Sequence, residues 1–267
     1  MQAHSLPEGH GELLWSPSPQ QADASRLHHY QQWLARERGV ERAGYEELWR
    51  WSIDELDDFW QSIWDYFGVT GEGEREPALG SREMPGAQWF PNMRLNYAEN
   101  LLRNATDQRP AIVARTENGP LREVSWAELE RDTAALAACM RRWGVRPGDR
   151  VAGYLPNRPE TVVAFLACAS IGAIWSCCAP DMGPSVVLDR LRQIEPCLLF
   201  AADSYSYNGK VHDRGPQVEE LLAQLPSVRN VVQVPGPLAQ ERAVGWRGRL
   251  ALADALAEPA PPRYERL

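Results

Sequence analysis

Between residues 109 and 234, short apolar runs alternate with amphipathic stretches, and this alternation limits the fold more than any other feature of the chain. VAGYLP, AIWSCCA, CLLFAA and NVVQV read as strands, separated by VVAFLACAS, SVVLDRLRQIE and VEELLAQL, which read as helices. Connections of that length join parallel strands through a crossover helix. Strands buried on both faces are apolar throughout, as these runs are. The spacing therefore predicts an α/β fold with a mostly parallel, doubly wound βαβ sheet. WSCCAPDMG, residues 175–183, is then expected to be the carboxyl end of a central strand with its following loop. Its thiols should lie on the buried part and residues 179–183 on the edge where such sheets bind ligands.

Upstream of this series, AIVAR, the pair Asn118 and Gly119, and LREV predict a β-hairpin. Ser125 and Glu128 form a capping box for a helix carrying Leu129, Leu136, Met140 and Trp143 and ending at Gly144. Asn157 is expected to cap the next helix, with Glu160 three residues on. The amino-terminal part reads as helical. Leu27, Tyr30, Trp33 and Leu34 suggest one short helix, and Leu95, Ala98, Leu101 and Leu102 another. Ser52 and Glu55 look like a capping box for a third helix with Ile53, Leu56, Trp60, Ile63 and Phe67 on one face. The acids Asp54, Glu55, Asp57 and Asp58 are read as helix-end charges rather than a metal site. Residues 68–84, rich in Gly and charge, read as an exposed loop. Two regions are expected: a helical extension over 1–104 and an α/β domain over 105–267.

Composition removes several functions. A net charge of −8 gives no basic face for nucleic acid. Lys210 is the only lysine among the 28 basic residues. The start of the chain lacks a positive segment followed by an apolar core, so the cytoplasm is the expected compartment. Residues 161–180 are charge-free, the length of a membrane span, but Gly172 splits them and no membrane partner is expected. Five cysteines without a CxxC pair or a nearby His support neither zinc nor a disulfide framework; four or five buried or half-buried thiols are expected. Four of the five histidines, His4, His10, His28 and His29, precede residue 30, which leaves little for a Ser/His/Asp or Cys/His centre. No G-x-G-x-x-G, G-x-x-x-x-G-K-[ST], G-x-S-x-G or H-E-x-x-H occurs. No residue is therefore assigned as catalytic or as a metal ligand.

LLWSPSPQ, YEELWRWSIDELDDFWQSIWDYFGV, MPGAQWFPNMRLNYAENLL, GDRVAGYLPN, IGAIWSCCAPDMG, DRLRQIEP and YSYNGK occur in the order found in one family. Together they resemble the amino-terminal part of the acetoacetyl-CoA synthetase family, acyl-CoA ligases of the adenylate-forming superfamily. That resemblance implies a cytoplasmic enzyme of lipid metabolism whose substrates are acetoacetate, ATP and CoA, with Mg²⁺. The carboxylate is first adenylated, and the CoA thiol then attacks the acyl carbon. The resemblance also implies part of a CoA site. Ala179, Pro180 and Asp181 would border the adenine, while Lys210 and its neighbour Tyr207 would approach the phosphates as a lone point charge. Tyr207 stands where acetate-using relatives carry arginine, so the site would be less positive. PAPPRYERL resembles the segment just before the family's phosphate loop. The chain is thus expected to be a fragment without adenylation chemistry, and a separate chain carrying the carboxyl-terminal part is a possible partner. A non-catalytic CoA- or nucleotide-binding or dimerisation module is the other function class.

Overall fold

The computed structural model describes residues 14–42, 44–117, 119–238 and 245–267. The readings on His4, His10 and Asn118 lie outside the described residues. The chain divides into two compact units, one running to Val69 and including Gly73–Met93, the other formed by Thr70–Glu72 with Arg94–Leu267.

The first unit is helical, with α1 (Arg26–Trp33), α2 (Tyr45–Asp54) and α3 (Leu56–Phe67). Tyr30, Leu34, Leu48 and Trp51 form its buried centre, packed against Trp33, Phe59, Ile63 and Tyr66. The Tyr30 hydroxyl donates to Ser62 Oγ at 2.6 Å, and Ser62 donates to the Phe59 carbonyl, so this aromatic core has no orphaned hydroxyl at its middle. Ser52 does not cap a helix. It lies inside α2, and its hydroxyl donates to the Trp49 carbonyl at 2.7 Å. The chain instead breaks at Glu55, and Asp57 and Asp58 fall in the first turn of α3, where carboxylates stabilise the helix dipole. Residues 68–84 are not all loop: Leu79–Ser81 pairs antiparallel with Gln88–Trp89, and Ala78 is fully buried.

The second unit opens with α4 (Tyr97–Leu102) and an antiparallel hairpin, β1 (Ile112–Ala114) and β2 (Arg122–Val124). Ser125 accepts from the Glu128 amide and caps α5 (Trp126–Arg142). There follow β3 (Arg150–Tyr154), α6 (Pro159–Ile171), β4 (Ile174–Cys178), α7 (Pro184–Ile194) and β5 (Leu198–Ala202). A second hairpin, β6 (Ser204–Tyr207) and β7 (Lys210–Asp213), precedes α8 (Gly215–Gln224), β8 (Asn230–Val234), β9 (Arg249–Ala251) and α9 (Leu252–Ala255). Strands β9, β8, β5, β3 and β4 lie side by side in that order, all parallel.

The period of two along each strand sorts its side chains to two cores. Val151, Leu198, Phe200, Val232 and Val234 pack with α5 and α6 on one face. Ala152, Tyr154, Leu199, Ala201 and Val231 pack with α7 and α8 on the other. The sheet is therefore doubly wound, as expected. Strand β4 is not central, however: it is the sheet's edge among the described residues, Ile174 is 53% exposed, and Cys177 is exposed while Cys178 is buried. The charge-free residues 161–180 resolve into α6 and this edge strand, separated at Gly172, whose φ of +77° ends the helix. No helix among the described residues is long and apolar enough to cross a membrane.

Asn157 does not cap α6. Pro159 at the first helical position favours extended backbone in the residue before it, so Arg158 (φ −152°, ψ 163°) is the N-cap residue.

Candidate functional site

Strands β3 and β5 are neighbours, but the chain leaves β3 for α6 on one face and leaves β5 for α8 on the other. Such a switch point opens a crevice beyond the carboxyl ends of the strands. A cavity of about 530 Å³ lies there. Its walls come from Pro156 to Glu160 after β3, Ser204 to Tyr207 after β5, Pro235 to Pro237 after β8, and the hairpin segment from Ala114 to Glu117.

One side of the cavity is charged and tightly paired. Arg122 donates to Glu160 at 2.7 Å and to Glu128 at 3.3 Å, and Arg158 Nε donates to Glu160 at 2.5 Å. Burial works against charge on Glu160, but the guanidinium of Arg158, with that of Arg122, outweighs it and holds the carboxyl below its ordinary range. Arg158 Nη1 also donates to the Pro235 carbonyl at 2.7 Å, which ties the loops after β3 and β8 together. Next to the lining residue Ser204, buried Asp203 accepts from Gln233 Nε2 at 2.6 Å and from the amide of Gly236, another lining residue, at 2.9 Å. A Cβ at Gly236 would stand 2.0 Å from the Ser204 carbonyl oxygen, so only glycine permits this approach.

The opposite rim is the β6–β7 hairpin. Asn208 and Gly209 both have positive φ (49° and 69°), the geometry of a tight two-residue turn, and Tyr207 pairs with Lys210 across it. Tyr207 is 63% exposed and lines the cavity; Lys210 is exposed on the strand that leaves the turn and is not part of the lining. Below them Tyr205 stacks on His212, with ring centroids 5.0 Å apart, and the Arg214 guanidinium lies 5.1 Å from the Tyr205 ring centre. Glu117 accepts from the Asn208 amide at 2.7 Å and from the Gly209 amide at 3.1 Å.

Ala179, Pro180 and Asp181 stand at the end of β4, on the far side of β3 from the hairpin. Ala179 and Asp181 are exposed, Pro180 is buried, and none lines the cavity. Fully buried Tyr154, the last residue of β3, holds this loop: its hydroxyl lies 3.0 Å from the Pro180 carbonyl and 2.8 Å from that of Met182. Burial pushes the phenol up, which keeps it a donor. The five residues proposed from sequence therefore form two groups along one sheet edge, with β3 between them. Arg158, Asp203 and Glu117 carry no sequence reading and Glu160 only a helix-capping one, although Asn-Arg-Pro-Glu after VAGYLP and Asp after CLLFAA both mark strand ends. Among the described residues no group of three His, Cys, Asp or Glu is placed to hold a metal ion.

Residues 102–263 match the family model described as AMP-binding enzyme, and residues 45–101 match that of the acetyl-coenzyme A synthetase N-terminus. The acetoacetyl-CoA synthetase of Xenopus tropicalis is 39% identical over 236 residues, covering 86% of this chain and 34% of that protein. A malonamoyl-CoA synthetase of Penicillium aethiopicum is 34% identical over 85% of the chain and 32% of its own length. The solved acetoacetyl-CoA synthetase from Streptomyces lividans is 44% identical with a TM-score of 0.90, covering 96% of this chain and 40% of that one. The chain thus spans about a third of the length of the relatives it matches.

Proposed function

Because the chain belongs to the AMP-binding enzyme family, we propose that it forms the CoA-side wall of an acetoacetyl-CoA synthetase-type ligase. The complete reaction would join acetoacetate to CoA at the expense of ATP, by way of an acyl-adenylate and with Mg²⁺. Handling of the ATP phosphates is assigned to the part of the relatives that this chain does not span, on the same polypeptide or on another. By itself the chain would bind without catalysing.

One observation carries the reading: the single lysine of the chain sits at a tight turn on the carboxyl edge of the parallel sheet, beside the switch-point cavity. A compact ammonium there suits phosphate oxygens as a point charge. Exposed Tyr207 stands beside it on the phosphate side, and exposed Ala179, on the loop that also carries buried Pro180 and Asp181, leaves a flat surface for the adenine. With one cation in this group, the phosphate attraction is modest and falls with salt.

Calorimetric titration of the chain with CoA and with ATP tests this. CoA is expected to bind, more weakly as salt rises, and the Lys210→Ala variant is expected to lose most of the affinity. Absence of heat with CoA at millimolar concentration, or an unaltered affinity in that variant, would refute the assignment.

A further inference from the structure

The two hairpins that face each other across the cavity come from distant parts of the chain, and a single side chain bridges them. Glu117, in the loop between β1 and β2, presents both carboxylate oxygens to the amides of Asn208 and Gly209, 91 and 92 residues further on. With positive φ at both turn residues, these consecutive amides form a small concavity suited to an anion, and the carboxylate fills it in bidentate fashion. Tyr207 and Lys210 flank this turn directly, so its orientation sets where the exposed ring and the ammonium stand.

Resting on the CoA reading above, we infer that Glu117 is a positioning residue: it latches the β6–β7 turn to the β1–β2 loop and so places Tyr207 and Lys210 for the phosphates of the ligand. Two effects of its charge oppose each other. A carboxylate beside Lys210 repels phosphate, so if charge alone mattered its removal would tighten binding. If the latch matters, removal frees the turn and weakens binding, although the repulsion has gone. The sign of the effect decides between the two.

The test compares the unaltered chain with Glu117→Gln, which keeps the size but can accept from the turn through one atom only, and Glu117→Asp, which keeps both acceptors on a shorter arm. Amide exchange at Asn208 and Gly209 is expected to be faster in Glu117→Gln. CoA titration is expected to show binding about threefold weaker, the scale of one solvent-exposed charged contact, with Glu117→Asp recovering part of the loss. Removal of the 3′-phosphate of CoA should shrink the difference between the variants. Unchanged exchange at both amides overturns the latch, and equal or tighter CoA binding by Glu117→Gln overturns the positioning role. If the unaltered chain does not bind CoA, the CoA reading fails, and the latch then stands or falls on amide exchange alone.

Discussion

Replacing Tyr154 by Phe removes one oxygen from a side chain that is 0% exposed and leaves the ring in place. No cavity larger than a hydroxyl results, so the cost is almost wholly polar. The hydroxyl serves the carbonyls of Pro180 and Met182 at 3.0 and 2.8 Å, and the variant leaves both without that donor. A lost neutral hydrogen bond costs about 1 kcal/mol, and an orphaned buried carbonyl raises this to about 2–3 kcal/mol. With a urea dependence of about 2 kcal/mol per molar, the unfolding midpoint should fall by about 1 M. Urea unfolding followed by far-ultraviolet circular dichroism measures this, and only the transition of the α/β unit should move. Faster amide exchange at Met182 and Gly183 should accompany it, since the loop would lose its tie to β3. A midpoint within about 0.2 M of the parent, less than a fifth of the expected shift, with unchanged exchange would refute the view that Tyr154 holds this wall of the site.

Three further outcomes follow from the geometry. Buried Asn96 caps α4 through the amides of Ala98 and Glu99 and donates to the Ala169 and Glu265 carbonyls at 2.8 and 2.7 Å; Asn96→Ala should cost about 3 kcal/mol of the second unit's stability in urea unfolding. Burial pushes the Cys168 thiol from 9.0 up to about 12. A raised acid contributes stability that is complete below pH 9.0 and lost as pH rises towards 12, about 4 kcal/mol in all. Stability curves of the parent and Cys168→Ala should therefore converge above pH 9.0, and parallel curves would exclude the effect. Gly236→Ala must move backbone at Ser204 and should destabilise the fold by about 2 kcal/mol or more, visible as a lower thermal midpoint.

Much of the second unit is legible in the sequence because its strands are buried on both sides and stand out as uninterrupted apolar runs. Spatial order is not legible in the same way. AIWSCCA is as apolar as CLLFAA, yet β5 is fully buried in mid-sheet while β4 lies at the edge with Ile174 and Cys177 exposed. Capping patterns mislead where another constraint is stronger: the hydroxyl of Ser52 finds a carbonyl within its own helix, and Pro159 sets the N-cap at Arg158. The cavity was hidden because its walls come from four separated segments that meet only once β3, β5 and β8 are adjacent. Tyr207 and Lys210 were reachable through family resemblance alone. Glu117 left no local signal, its partners being some ninety residues away.

The strand order also bears on how the sheet can be built during synthesis. Strands β3 and β4 emerge first and pair with each other; β5 then adds to the free side of β3, β8 to β5, and β9 to β8. No strand has to be threaded between two that are already paired. Parallel pairings are slow to form because each closes a long loop, but here every closure can take place as soon as its strand leaves the ribosome. The growing edge moves in one direction only, so a chain made from its amino end can assemble the sheet in the order in which it is translated.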